Sequence, residues 1–304
     1  MKSNCTLHTV LNDYKMKKCF LTILLAGKIS ICTFGQNDVV IPDLNFRNVL
    51  KNKYPTCFNS QDELDITCTE IIKEKELDVS ENNIIDLTGI EYFKTLRVLN
   101  CSQNGLIILN NLPESLITLN CFHNQLQQIL NLPDGLTELI CSKNRLPTLP
   151  KLPQNLKVLS CFDNAIWVLP DLPQTITDLT ISGNRFTVLP ALPAAVKTLD
   201  CSNNKLAVLP DLPANLEQLF CGKNALTKFP ALPINLKILN CNTNRFTELP
   251  VLPVTLNYLD CSSNKIKIIP DLPPMLRYFN ASNNPLKQNP VNKHPDVLRN
   301  FILE

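Results

Sequence analysis

The segment from Lys197 to Leu216, moved twenty residues in either direction, lands on a near copy of itself, and this periodicity limits the chain more than any other feature. An asparagine stands at Asn104 and at every twentieth residue through Asn284, with Asn82 joining after one step of 22. Three places earlier sits a cysteine, at Cys101, Cys121, Cys141, Cys161, Cys201, Cys221, Cys241 and Cys261; Val79, Ile181 and Ala281 fill the same slot elsewhere. Leucines recur in phase, as at Leu199, Leu206, Leu209, Leu212 and Leu216, and Val196 stands in the slot of Leu216 one unit earlier. The pattern L-x-x-L-x-C-x-x-N-x-L is met about eleven times. Such units bury their apolar sides by stacking on one another, so the array reads as one elongated domain.

Spacing translates into shape. In Thr198-Leu199-Asp200-Cys201-Ser202 polar and apolar residues alternate, which predicts a short strand with Leu199 and Cys201 facing inward. Pro210 and Pro213 remove donors and fix φ, so the return to the next strand cannot be a regular helix. An extended, polyproline II-like return, with three residues per turn, points Leu206, Leu209 and Leu212 into the coil. Asn204 turns the chain out of the strand, and its amide is suited to backbone groups that the corner leaves unpaired. The expected result is a right-handed solenoid with about 4.8 Å between parallel strands and roughly 50 Å of exposed sheet, a length that suits a macromolecular partner.

The net charge of +2 argues against nucleic acid, which requires a concentrated basic face. The 23 prolines fall mostly in two columns of the repeat, and 44% hydrophobic content is ample for a core. Four parts follow: a leader over 1–35, an N-terminal cap over 36–76, the repeat array over 77–289 and a C-terminal cap over 290–304. Met16-Lys17-Lys18 followed by the apolar run Cys19 to Gly27 has the form of a bacterial export signal starting at Met16, with cleavage after Gly35. A buried N-terminal helix is the other reading, and no uninterrupted apolar run is long enough for a membrane span. In the cap, Asp43 can begin a helix that places Phe46, Val49 and Leu50 on one stripe and covers the open end of the coil. Cys57 and Cys68 flank a polar segment and form the natural disulfide pair if the protein is exported; otherwise they are free thiols. Val297, Leu298, Phe301 and Ile302 mark the tail as a short amphipathic cap.

The column cysteines are not expected to bind metal, because zinc ligands converge from close pairs and these stand one to a coil. They read as reduced thiols packed in the core. No histidine-centred constellation or phosphate-cradling glycine loop stands out, and no cofactor is implied. Asp178 and Asp200, on neighbouring strands, read as two solvated carboxylates before an acid and base pair. Binding therefore falls to the outward strand positions. They carry Phe122, Phe162, Phe220, Tyr258 and Tyr278 with the acids Glu138, Asp178, Asp200 and Asp260, and no lysine or arginine. Basic residues line both margins, among them Lys157, Lys197 and Lys237 before the strands and Arg145, Arg185 and Lys205 after the asparagines. Aromatic side chains on a rigid sheet are anchors for a partner, or else they stack on one another and cover the sheet. Trp167 reads as an edge-packing residue or a contact at the rim.

The Leu-Pro-x-Leu-Pro segments, as at Leu209 to Pro213 and Leu249 to Pro253, resemble those of the short-repeat leucine-rich proteins of bacteria, including type III secreted effectors and their ubiquitin-ligase relatives. The leader, Ile41-Pro42-Asp43, Asp86 to Phe93 and Leu99-Asn100-Cys101-Ser102 look more like exported, internalin-like leucine-rich-repeat proteins of Gram-negative bacteria. The resemblance covers residues 41 to 289 and implies an α/β leucine-rich-repeat solenoid with the parallel sheet on its concave face. Cys161-Phe162-Asp163 spells the ligases' Cys-x-Asp motif, but Cys161 lies in the core column and the residues after Pro290 are too few for a catalytic domain. The resemblance therefore implies a non-enzymatic binding or adhesion module for a protein or a glycan, at the cell surface or outside the cell. An intracellular scaffold or delivered effector is the alternative, and an enzyme comes last.

Overall fold

The structure, a computed structural model, describes residues 37–288, 290, 296–298 and 300–303. The leader, its export signal and its cleavage point lie outside these residues, as does much of the expected C-terminal cap.

Each unit contributes a strand of three residues, and the strands pair in parallel with inward leucine opposite inward leucine, as Leu179 with Leu199 and Leu199 with Leu219. The sheet has twelve strands, from Glu76–Asp78 to Asn300–Ile302. Leu199, Cys201, Leu206 and Leu216 are fully buried, and Leu209 almost so. Leu212 is only half-buried, so the third position of the expected inward row lies nearer the surface. Burying one leucine stabilises by about 1.5–3 kcal/mol, and every coil repeats the set.

The asparagine column joins coil to coil. The Asn204 amide donates to the carbonyls of Cys201 and Ser202 in its own turn and of Ile181 in the coil before, while its Oδ1 accepts from the Phe186 amide. The same bonds recur at Asn124, Asn144, Asn164, Asn184, Asn224, Asn244 and Asn264. The residue just before the asparagine is left-handed in coil after coil, with φ of 52° at Lys143, 51° at Asn203 and 51° at Thr243. That column tolerates many residue types and has no sequence signal.

The prolines do more than exclude helix. The carbonyl of Pro213 accepts from the Leu216 amide, a turn that returns the chain to the strand and recurs at Pro153, Pro173, Pro193, Pro233 and Pro253. Where proline is absent the return gains a sheet of its own. Ile108–Leu109 pairs in parallel with Gln128–Ile129, and the Leu130 amide donates to the Leu109 carbonyl at 3.0 Å. One coil later the corresponding positions are Pro147 and Pro150, which have no N–H, and the small sheet stops.

At the N-terminal end Asp43 caps the helix Leu44–Lys53, its Oδ1 accepting from the Phe46 amide at 2.8 Å. Its other oxygen accepts from the amides of Ile85 and Asp86, so one carboxylate ties the cap to the first coil. Phe46 and Leu50 are fully buried and Val49 packs against the core. Gly89 holds φ at +113°, a conformation that side-chain-bearing residues rarely adopt, so the backbone here favours glycine. Cys57 and Cys68 are joined in a disulfide. At the other end the tail differs from a bare cap. Asn300–Ile302 adds a twelfth strand, with Phe301 inward against Phe279 and Ile302 outward.

Candidate binding face

The three-residue strands leave two outward positions each, and the residue after the inward cysteine adds a third. These columns hold the side chains singled out in the sequence. None of the five aromatic residues stands fully exposed; each is half-buried by its neighbours.

Phe122 and Phe162 belong to alternate coils, yet their rings meet at 6.1 Å between centroids, tilted by 52°. Ser142 lies between them in the same column. It is fully buried, its hydroxyl is 2.9 Å from that of Ser160 and accepts from the Phe162 amide at 3.0 Å. A small residue thus lets two rings close an arch over it. Lys143 Nζ sits 5.4 Å from the centre of the Phe122 ring and the His123 ring 5.8 Å from it. The face therefore carries a cation at this point, whereas its strand positions alone include none.

Tyr258 and Tyr278 stand on adjacent strands and stack face to face, 4.4 Å apart and 4° from parallel. Burial, and next the neighbouring Tyr278, pushes the Tyr258 phenol up to about 12, so it remains a neutral donor at physiological pH. Phe220 lies between Asp200 and Asn240 in the register of the sheet.

The carboxylates divide. Asp200 accepts from the amide and hydroxyl of Ser202. Asp260 does the same with Ser262, also takes a bond from Asn242, and is only 7% exposed, so it shapes the turn and is withdrawn from a partner. Asp178 is bonded to the Thr177 hydroxyl and lies opposite Thr198, while Asp200 lies opposite Thr180, so the two are diagonal and separately engaged. Glu138 is half-buried at the edge of hydrogen-bonding range from Thr118 Oγ1, 3.5 Å. The margins Lys157, Lys197, Lys237, Arg145, Arg185 and Lys205 are all exposed, and Lys237 pairs with Glu217 at 2.6 Å. Trp167 is 60% exposed, so packing at the edge does not account for it.

Among solved structures, the chain is similar to YopM from Yersinia enterocolitica WA-314 at 37% identity and a TM-score of 0.68, over 69% of this chain and 47% of that one. It spans about half the length of that protein. A second YopM, the leucine-rich effector protein from Yersinia pestis, matches at 30% identity and a TM-score of 0.56 over 75% of this chain and 77% of its own. The chain belongs to the bacterial leucine-rich-repeat proteins. The functional domain of InlJ from Listeria monocytogenes is similar at 26% identity and a TM-score of 0.62, over 80% of this chain and 56% of that one. No family model matches the sequence, and a comparison with curated proteins finds no match.

The InlJ domain includes a cysteine ladder, and this leucine-rich-repeat protein carries a column of its own. All eight of its thiols are free and buried. Burial pushes those of Cys101, Cys141 and Cys261 up to about 12, which leaves almost no thiolate at neutral pH. They act as small apolar core residues. Among the described residues no group of histidine, cysteine or carboxylate side chains is placed to hold a metal, and no helix is long and apolar enough to cross a membrane.

Proposed function

We propose that this leucine-rich-repeat protein is a non-enzymatic binding module that holds a protein partner on the outward face of its sheet, at the cell surface or outside the cell. The observation that carries this reading is the set of aromatic side chains already pinned on a rigid sheet: the Phe122–Phe162 arch, Phe220 and the Tyr258–Tyr278 stack. A ring held by its neighbours has little rotamer freedom left to lose when a partner covers its open half, and aromatic anchors of this kind dominate interface energies. The outward carboxylates support binding over catalysis, since Asp200 and Asp260 are spent on their own turns. The Cys57–Cys68 disulfide supports an oxidising compartment. A glycan is the other occupant the face would accept.

The likeness to YopM favours a second reading, a delivered effector that binds proteins inside another cell. The N-terminal residue of the mature protein separates the two. A chain beginning near Gln36 and recovered outside the cytoplasm is expected; an intact leader in the cytoplasm turns the assignment to the effector. The face is tested by replacing Phe162, Phe220 and Tyr258 with alanine. Wild-type protein immobilised on resin should retain a partner that the triple variant releases, with unchanged circular dichroism. Each anchor is worth about 2 kcal/mol, or roughly thirty-fold in affinity. Equal capture by both proteins refutes the assignment.

A further inference from the structure

The flank of the coils just after the strands has a different chemistry from the sheet. In each unit two inward residues, such as Leu206 and Leu209, leave the residues around them turned outward. Arg145, Arg185, Lys205, Arg245 and Lys265 share the slot after the asparagine, and all are exposed. Three places on, Val168, Val188, Val208 and Ile268 share another slot. Val188 is 62% exposed and Val208 60%, and Trp167 stands beside Val168. Over the six residues that begin at each left-handed position, from Lys143 to Gln288, the acids are Asp163 and Glu248 alone. Lysine and arginine line the margin before the strands as well, but this flank sets its cations almost free of acids beside exposed aliphatic residues.

We infer that this flank docks on an anionic lipid bilayer. In-register stacking puts the basic slot in a line roughly 30 Å long; beside it the aliphatic slot runs through Val168, Val188 and Val208 and resumes at Ile268 after Lys228 and Glu248. A nucleic acid would neutralise the cations and leave the valines in water. A bilayer satisfies both rows: valine, isoleucine and tryptophan enter the headgroup boundary while lysine and arginine lay their stems along it and hold their charges at the anionic surface. Exposed aliphatic residues on three consecutive coils are otherwise a cost to solubility. The inference does not depend on what the sheet face binds.

Trp167 is the only tryptophan in the chain, so its emission reports this flank alone. That locality is needed because the leader contains its own apolar run, Cys19 to Gly27. The full chain is mixed with vesicles of phosphatidylcholine, with or without phosphatidylserine. With phosphatidylserine, co-sedimentation is expected to appear and to weaken with salt, and Trp167 emission to shift to the blue and be quenched by brominated lipid. Arg185→Gln with Lys205→Gln should lower partitioning about thirty-fold, five-fold for each basic side chain near the surface. Val188→Ser with Val208→Ser should lower it by at least about five-fold with unchanged circular dichroism. The inference is overturned if phosphatidylserine makes no difference, if the chain sediments while Trp167 emission stays unmoved, or if both variants bind undiminished. Binding to polyglutamate or RNA without binding to vesicles overturns it in favour of another occupant. Should a variant lose its fold, quenching of wild-type Trp167 by brominated lipid still decides the matter.

Discussion

Asn184→Ala is expected to cost about 3 kcal/mol, and the hydrogen bonds show where the cost arises. The Asn184 amide donates to the carbonyls of Cys161 at 2.9 Å, Ile181 at 3.2 Å and Ser182 at 3.2 Å, and its Oδ1 accepts from the Ile166 amide at 3.0 Å. The three carbonyls each keep a second donor when Asn184 is removed. Cys161 still accepts from Asn164, Ile181 from Asn204 and Ser182 from the Asp163 amide. The Ile166 N–H loses its acceptor inside the coil, beside a fully buried side chain. An orphaned buried donor costs about 1–3 kcal/mol, and the lost net bonding and missing side-chain volume add about 1 kcal/mol more.

Equilibrium urea unfolding followed by circular dichroism measures the loss, with Asn215→Ala as the control. Asn215 is exposed and makes one bond to the Ala194 carbonyl, so the same substitution there should change stability by no more than about 0.5 kcal/mol. Asn184→Asp sharpens the test. Its carboxylate would face three carbonyl oxygens, so the folded state would favour the protonated acid and raise its pKa above the unfolded value near 4. Stability is then greatest below about pH 4 and falls as pH rises toward the folded pKa, the reverse of a salt-bridged aspartate. Equal costs for Asn184→Ala and Asn215→Ala, or a pH-independent cost for Asn184→Asp, would refute the argument.

Thr243 holds the left-handed conformation with a β-branched side chain, so Thr243→Asn should stabilise by about 1 kcal/mol; a loss in urea midpoint would show that the side chain contributes more than the strain it carries. Ellman's reagent at mildly alkaline pH should find at most the thiols of Cys5, Cys19 and Cys32 in the native chain and the eight column thiols only after denaturant, because burial holds the latter as neutral thiols; native labelling of any column cysteine contradicts this. Replacing Cys57 and Cys68 together with serine should lower stability by roughly 3 kcal/mol for a loop of this length, with faster amide exchange in the helix Leu44–Lys53; exchange that changes equally throughout the array would place the effect elsewhere.

Much of this architecture was legible because repetition turns a weak local signal into a column. One Leu-x-Cys says little, but the same pair repeated at intervals of twenty residues sets strand, register and inward face together. The asparagines were readable for the same reason, since a buried amide recurring at a corner must satisfy that corner. The left-handed column was not readable, because Gln103, Lys143, Asn203 and Thr243 have nothing in common but a backbone angle. Asp43 was legible as a helix cap and hidden as a tie to Ile85 and Asp86, a contact across about forty residues that no local pattern encodes. In the tail, Val297, Leu298, Phe301 and Ile302 could be read as amphipathic, but their form as a strand could not, because it is the open sheet edge beside Tyr278–Asn280 that selects it.

The candidate site was less legible than the scaffold because it depends on pairs of coils. Which side chains point outward follows from alternation, but how far each is exposed depends on the same column one and two coils away. Ser142 decides the state of Phe122 and Phe162 by being small, and Tyr258 and Tyr278 stack because their strands are neighbours separated by about the thickness of a ring. The inward columns must stay apolar, and the corner column asparagine, because each one completes the coil beside it. The outward columns carry no such duty, so the sheet face can become aromatic and the flank beyond it basic and aliphatic without any change in the fold. Departures from the repeat are therefore where the chemistry collects: Phe122 and Phe162 in a column that is otherwise mostly serine, leucine in place of proline at Leu130, and a single tryptophan on the flank.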